Sequence, residues 1–256
     1  MVSHLYERKE SDQEFDNEVK HFIFDIFTHK DVFKIDSERY HYGMPTADGR
    51  IVFNPEIIKK VQAIVPRDHT PVYFTQFGGN SYNTLTLLTI ATGYDFYSPF
   101  VEGVIPGREL IPYNAIRKMI EQNCKIFTDD LSGLAASVSA PIYHVVSPPP
   151  IYSSETIDEI KKVSPYFANL THTEVTPASV RLKAWHCQRQ VYKETCDRIG
   201  ATVLDPPAES LEDGRWLAES CIGSDPTHGN YRYSDLVFQM IESTLKARYV
   251  GWEWIK

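Results

Sequence analysis

The chain has 256 residues, 42% of them hydrophobic and 12% aromatic, which is enough apolar material to bury one good core, so we predict a single domain over residues 1–256. The formal net charge is −8, and acidic and basic residues are interspersed. The sequence therefore offers no positive stripe to neutralise phosphates, and nucleic acid is excluded as an expected partner.

The sequence also bounds the compartment and the metal chemistry. The first residues lack the apolar run of a signal peptide, and no later apolar run is long enough to span a bilayer. The four cysteines, at positions 124, 187, 196 and 221, form no CxxC pair and no zinc spacing, and the histidines form no His-Glu-x-x-His motif. We therefore expect a cytoplasmic protein with reduced cysteines, no membrane span and no metal site.

Extended apolar runs alternate with helical patterns, the order expected for a parallel sheet covered by helices, so the predicted fold class is α/β. A helix is predicted from Asn54 to about residue 65, because asparagine is a good N-cap and Pro55 suits the first helical position. Buried strands are predicted at residues 71–77, 141–146 and 201–204.

Two further helices are predicted in the second half of the chain. One begins after Thr176 and Pro177 and ends at Gly200, with one apolar face formed by Leu182, Trp185, Tyr192, Cys196 and Ile199. The other closes the sequence, and its buried face comprises Val237, Met240, Ile241 and Leu245.

Residues 94–139 are predicted to form an irregular insertion, because glycines and prolines interrupt any long periodic pattern. Within it, residues 111–124 have a helical pattern. The insertion is expected to cap the site, and its aromatics either line a pocket there or pack the loop against the core; they are Tyr94, Phe96, Tyr97 and Phe100.

Two short motifs carry the functional argument. Asp225 and His228 are three residues apart just before the last helix, a spacing that lets a carboxylate orient an imidazole. Gly78, Gly79 and Asn80 follow the predicted strand 71–77, where a glycine turn would present an amide at the sheet edge. The structural alternatives are that Asp225 only caps a turn and that Asn80 only caps a helix.

With these two motifs in this order, the chain resembles the SGNH (GDSL-like) hydrolases from about Asn54 onward. Gly78-Gly79-Asn80 is similar to that family's Gly-x-Asn block, and Asp225-Pro226-Thr227-His228 to its Asp-x-x-His block. The resemblance implies a three-layer α/β/α sandwich with a mostly parallel sheet. It also implies a serine ester hydrolase or acyl transferase that works through an acyl-enzyme, without metal or organic cofactor. The implied substrate is a small-molecule ester or an acylated glycan, and acetylated sugars, lipid esters and small acyl esters all fit the family.

The resemblance assigns a role to each site residue. His228 is the general base, Asp225 orients it, and Asn80 donates to the oxyanion. Gly43 is the candidate for the family's lone-glycine block, whose backbone N–H is a second oxyanion donor; an ordinary turn glycine is the alternative.

The nucleophile departs from the family pattern, because the sequence has no Gly-Asp-Ser. Ser3 is the first candidate, as the remnant of such a turn, and Thr28 after a strand at residues 21–27 is the second. If neither serves, the protein is a truncated or non-catalytic member that binds or scaffolds. A third hypothesis takes Ser81 as the nucleophile of an α/β-hydrolase elbow, although Asn83 replaces the second glycine of that motif.

Overall fold

The described part of the chain alternates short strands with helices. The computed structural model describes residues 43–46, 51–64, 71–78, 80–90, 93–163 and 173–248. Its strands are β1 (Gly43–Pro45), β2 (Ile51–Phe53), β3 (Tyr73–Thr75), β4 (Leu88–Ile90), β5 (Tyr94–Asp95), β6 (Glu109–Leu110), β7 (Ile142–Val145), β8 (Thr173–Val175), β9 (Thr202–Leu204), β10 (Leu211–Glu212) and β11 (Trp216–Leu217). Its α-helices are α1 (Pro55–Ile64), α2 (Asn83–Thr86), α3 (Tyr113–Ser137), α4 (Ser154–Val163), α5 (Ala178–Ile199) and α6 (Tyr231–Arg248).

The central sheet has the order β3-β7-β9, and both pairs of neighbours are parallel. Thr75 lies opposite His144, which in turn lies opposite Val203. The three strands fall inside the segments predicted from the sequence, so the α/β class and the parallel pairing are confirmed. The remaining strands form four two-stranded pieces: β1 with β2, β4 with β8, β5 with β6, and β10 with β11.

Strand β7 lies in the middle of this sheet, and all four of its residues are buried, as expected for a central parallel strand. Their side chains alternate between two apolar clusters. Ile142 belongs to the cluster that contains the buried faces of α3 and α5, and Val145 belongs to the cluster that contains the buried face of α6. The core therefore lies on both faces of the sheet.

The helix termini follow the local sequence signals. The side chain of Asn54 accepts a hydrogen bond from the backbone N–H of Glu56 at 3.0 Å, which confirms the predicted cap of α1. Gly200 ends α5 in the left-handed conformation at φ 73°, where glycine has no steric cost. The predicted apolar faces of α5 and α6 also lie in the two clusters.

Residues 94–139 are more regular than predicted. Helix α3 occupies the second half of this segment and continues to Ser137, well beyond the predicted helical stretch 111–124. Its buried residues Ile120, Cys124, Leu131 and Leu134 belong to the same cluster as α5. The second half of the predicted irregular insertion is therefore a core helix.

The first half of that segment is pinned to α5 by a buried ion pair. Lys183 donates to Asp95 at 2.7 Å, and both side chains are almost completely buried, at 1% and 0% exposed. Lys183 also donates to the carbonyls of Phe96 and Gly103, at 3.0 and 2.7 Å. Asp95 in turn accepts the backbone N–H groups of Phe96 and Ile105. The side chain of Phe96 is fully buried in the core.

All four cysteines are buried with free thiols. Burial raises the pKa of Cys124 and of Cys196 to about 12 in each case. Within the described ranges, none of the helices combines the length and the apolar character that crossing a bilayer requires.

Candidate active site

Asn80 lies in a tight turn that follows β3. The turn begins at Gly78, whose carbonyl accepts both the backbone N–H and the hydroxyl of Ser81, at 3.2 and 3.0 Å. The carbonyl of Asn80 accepts the N–H of Asn83 at 3.0 Å. The backbone of Asn80 is therefore used within its own turn, and its side chain is left to reach elsewhere.

Gly78 is required here for two reasons. Its φ is 59°, in the left-handed region that other residues rarely adopt. A β-carbon at this position would also overlap the ring of Phe127 on α3 and the hydroxyl of Tyr192 on α5. The turn that carries Asn80 is consequently seated directly on two core helices.

Asp225 and His228 lie in a loop that is closed at its base. Ile222 and Gly229 form an antiparallel bridge, and the N–H of Gly223 donates to the carbonyl of His228 at 3.0 Å. A β-carbon on Gly223 would overlap that carbonyl. Next, Asn230 caps α6 by accepting the N–H of Tyr233 at 3.2 Å. The loop is thus fixed between a short bridge and a helix terminus.

The imidazole of His228 faces the carboxylate of Asp225. Nδ1 lies 2.9 Å from Oδ1 and 2.8 Å from Oδ2 of Asp225. Asp225 Oδ1 also accepts the backbone N–H and the hydroxyl of Thr227, at 2.8 and 2.7 Å. The carboxylate of Asp225 therefore caps the turn and orients the imidazole at the same time.

The side chain of Asn80 also contacts this loop. Its Nδ2 lies 3.3 Å from Nε2 of His228 and donates to the hydroxyl of Thr227 at 3.1 Å. Asn80 comes directly after β3, one of the two strands that flank β7, whereas His228 lies between β11 and α6. The structure thus brings Asp225, His228 and Asn80 together, although the two motifs are 147 residues apart between Asn80 and Thr227.

The carboxylate of Asp225 determines which nitrogen of His228 carries the proton. Partial burial raises the pKa of Asp225, but hydrogen bonds from His228 and Thr227 outweigh it and hold that pKa well below its usual range. An ionised carboxylate at Nδ1 places the imidazole proton on Nδ1 and leaves the Nε2 lone pair as an acceptor. The side chain of His228 is 53% exposed, so the imidazole is accessible from solvent. This arrangement is suited to taking a proton from a hydroxyl.

The other candidates lie elsewhere. Ser3, Thr28 and the predicted strand at residues 21–27 are outside the described residues. Gly43 begins β1 and pairs with Phe53, whose ring centroid is 6.4 Å from that of Phe77, next to the Asn80 turn. Its assignment as an oxyanion donor stays a prediction.

Ser81 is also a described residue. Its side chain is buried within the turn and donates to the carbonyl of Gly78, whereas its neighbour Asn80 is the residue that contacts His228. These contacts do not favour Ser81 as the partner of the base. Asn80 itself does not use its side chain as a helix cap, so that alternative is not the one seen.

Two polar residues of this region were not singled out from the sequence. Thr227 lies inside the Asp-x-x-His motif, but nothing in its spacing indicates that its hydroxyl meets Asn80. Gln188 accepts the N–H of Tyr82 at 2.6 Å and donates to the hydroxyl of Ser147 at 3.3 Å, which joins the Asn80 turn to the segment after β7. Its position on the buried face of α5 was the available signal, since a buried glutamine needs polar partners.

Within the ranges covered by the structure, no cluster of three or more His, Cys, Asp or Glu residues is placed to hold a metal ion. No protein-family model matches the chain, and no curated protein sequence matches it either.

Proposed function

We propose that this protein is an SGNH-type serine ester hydrolase or acyl transferase. The observation that supports it most directly is the position of His228, with Nδ1 on both oxygens of Asp225 and Nε2 3.3 Å from the amide of Asn80. An acid, a base and an oxyanion donor are the parts that acyl transfer needs beside a nucleophile. The substrate class is a small-molecule ester or an acylated glycan.

The proposed fold is the three-layer α/β/α sandwich of that family. Its support is the alternation of β7 side chains between a cluster with α3 and α5 and a cluster with α6. In such folds, ligands bind at the carboxyl ends of the parallel strands. Asn80 comes directly after β3, and Asp225 and His228 meet it from the segment between β11 and α6.

In the proposed reaction, the hydroxyl of a serine attacks the ester carbonyl carbon, and His228 Nε2 takes its proton. Asp225 stabilises the imidazolium that forms. The carbon–oxygen bond to the leaving alcohol then breaks, and the alcohol leaves with the proton from Nε2. Water, or an acceptor alcohol in acyl transfer, repeats the same steps on the acyl-enzyme and releases the serine.

Asn80 would stabilise the negative charge that develops on the carbonyl oxygen. Its Nδ2 protons already point into the site, one toward Thr227 and one toward His228 Nε2. Loss of one such donor in other hydrolases costs about two to three orders of magnitude in rate. We assign the second donor to the N–H of Gly43 and the nucleophile to Ser3.

The proposal is tested by treating the purified chain with a fluorophosphonate probe, which labels activated serines, followed by peptide mass spectrometry. We expect an adduct on Ser3 in the wild-type chain. In the His228→Ala variant we expect the adduct and the hydrolysis of p-nitrophenyl acetate to be lost, while circular dichroism shows a retained fold. Wild-type rates in that variant would show that His228 is not the base.

The controls separate the alternatives. The control variant His186→Ala removes a histidine of α5 whose ring stacks on that of Phe100. We expect this variant to keep the adduct. An adduct on Ser81 would favour the α/β-hydrolase alternative. A folded wild-type chain that takes no adduct would reject the enzyme proposal in favour of a non-catalytic binding or scaffold protein.

A further inference from the structure

The amide of Asn80 has two protons, and the structure accounts for both. One is donated to Thr227 Oγ1 at 3.1 Å, and the other points to His228 Nε2 at 3.3 Å. The second contact occupies the lone pair that the base must use during catalysis. One proton of Asn80 therefore has to change partner when the site turns over, and the other does not.

The hydroxyl of Thr227 is itself held in one orientation. It donates to Asp225 Oδ1 at 2.7 Å, and the backbone N–H of Thr227 donates to the same oxygen at 2.8 Å. The same hydroxyl oxygen lies 2.9 Å from Nδ1 of His228, and with the proton of the imidazole on Nδ1 that contact also finds the oxygen as an acceptor. Since the only hydroxyl proton of Thr227 is directed at the carboxylate, its oxygen can meet Asn80 only as an acceptor. Donation to an ionised carboxylate also polarises the hydroxyl and strengthens it as an acceptor.

The orientation of the Thr227 hydroxyl favours one of the two orientations of the Asn80 amide, which differ by exchange of its oxygen and nitrogen. With the NH₂ group toward Thr227, a proton meets a lone pair. With the amide reversed, the carbonyl oxygen of Asn80 would face the oxygen of Thr227, and it would also face the unprotonated Nε2 of His228. Both contacts would then be between acceptors, so the reversed flip is disfavoured.

We propose that Thr227 is the positioning residue of the oxyanion donor: it holds Asn80 by one amide proton, so that the other passes from His228 Nε2 to the substrate oxyanion. The inference rests on the proposed acyl transfer at this site. It gives a function to the residue between Asp225 and His228, and it ties the orientation of Asn80 to the ionised state of Asp225.

The test replaces Thr227 by valine, which has nearly the same shape but no hydroxyl, and by serine, which keeps it. We expect kcat for p-nitrophenyl acetate to fall about tenfold to a hundredfold in Thr227→Val, with KM unchanged, because the oxyanion exists only in the transition state. Thr227→Ser should restore most of kcat. A Thr227→Val enzyme with wild-type kcat, or a Thr227→Ser enzyme as slow as the valine variant, would overturn the inference.

The hydroxyl of Thr227 also contacts Asp225 and lies 2.9 Å from Nδ1 of His228, so the path of its effect must be resolved. If it acts through Asn80, the double variant Asn80→Ala/Thr227→Val should be no slower than Asn80→Ala alone. The pH profile of kcat/KM should keep its midpoint and lose only height. Additive losses, or a displaced midpoint, would show that Thr227 acts through Asp225 and His228 and would reject the positioning of Asn80.

An NMR measurement that does not depend on catalysis tests this inference separately from the proposed function. In ¹⁵N–¹H spectra, the side-chain NH₂ signals of Asn80 are assigned by their loss in Asn80→Asp. We expect slow solvent exchange of one of these protons in the wild-type chain and in Thr227→Ser, and fast exchange in Thr227→Val. An inactive wild-type chain with this pattern would reject the proposed function and retain the positioning, whereas equal exchange in all three would reject the positioning.

Discussion

Asp225 is the residue on which the geometry of the candidate site converges. Its carboxylate accepts from the imidazole of His228 and from both the hydroxyl and the backbone N–H of Thr227. The same oxygen atoms thus fix the tautomer of the base and, through Thr227, the orientation of Asn80. Replacing this carboxylate disturbs both halves of the site together.

We expect Asp225→Asn to lower kcat by about three to four orders of magnitude, since an amide at this position no longer holds the Nδ1–H tautomer of His228. The fold should be retained, because the amide oxygen can still accept the N–H of Thr227. The measurement is kcat for p-nitrophenyl acetate together with circular dichroism. The matched control is Asp197→Asn, which makes the same chemical change in an exposed ion pair with Lys193 on the last turn of α5. Equal losses in the two variants would contradict a special role for Asp225.

For the candidate site, the sequence predicts which residues meet, but not every hydrogen bond between them. Asn80, Asp225 and His228 were found because a glycine turn after a strand and a carboxylate three residues before a histidine are local patterns. Thr227 was missed because its importance comes from a partner 147 residues away, a relation that no local spacing contains. The nucleophile candidates Ser3 and Thr28 remain predictions outside the described residues.

Among the elements, helix α5 holds several parts of the site region in place. Through Gln188 it holds the turn of Asn80, through Tyr192 it packs against Gly78, and through Lys183 it holds the segment that begins with Asp95. The ion pair with Asp95 is nearly inaccessible to water, so the loss of one partner leaves an uncompensated buried charge.

We expect Lys183→Met to reduce the free energy of unfolding by about 3–5 kcal/mol, because the carboxyl group of Asp95 is then buried in the core without its cation. The double variant Lys183→Met/Asp95→Asn should recover part of this loss, since the buried charge is removed. Urea unfolding at constant pH measures both. A single variant within about 1 kcal/mol of the wild type would show that the pair contributes little to the anchoring of this segment.

Helix α3 shows what the sequence prediction overlooked among the elements. The glycines and prolines at residues 93–112 predict an irregular insertion, and the predicted helical stretch ends at Cys124. The apolar residues Phe127, Leu131 and Leu134 continue the same spacing, so the signal for the longer helix was present. The capping signals at Asn54 and Gly200 were sufficient by themselves because they act through neighbouring backbone atoms.

The molecule as a whole buries an imidazole in the middle of its sheet. His144 of β7 lies 3.0 Å from the hydroxyl of Thr75, and its ring centroid is 4.3 Å from that of Tyr192. Burial lowers the pKa of His144 from 6.5 to about 3. The folded state therefore keeps the neutral imidazole over a pH range in which the unfolded chain binds a proton.

The sign of the pH dependence follows from this shift. Above pH 6.5 both states are neutral and the stabilisation is fully present; as pH falls below 6.5 toward about 3, only the unfolded chain gains a proton and stability is lost. Between pH 7 and pH 5 we expect His144 to cost about 2 kcal/mol of the free energy of unfolding. Asp225 does not contribute in this window, because it is ionised throughout in both states.

Urea unfolding at pH 7 and pH 5 measures the effect in the wild type and in His144→Gln, which cannot take up the proton. The wild type should lose about 2 kcal/mol more than the variant between these two pH values. Burial also lowers the pKa of His186, to about 4, but this residue is present in both proteins and cancels in the comparison. An equal loss in the two proteins would mean that His144 is protonated in the folded state.

The four cysteines have a consequence that extends beyond packing. Each thiol is buried, and burial raises the pKa of Cys124 and Cys196 to about 12, so these two are both out of reach and almost entirely in the unreactive protonated form. An alkylating reagent can therefore react with them only after the structure around them opens. The rate at which an alkylating reagent modifies these two thiols therefore reports how often the core opens to solvent.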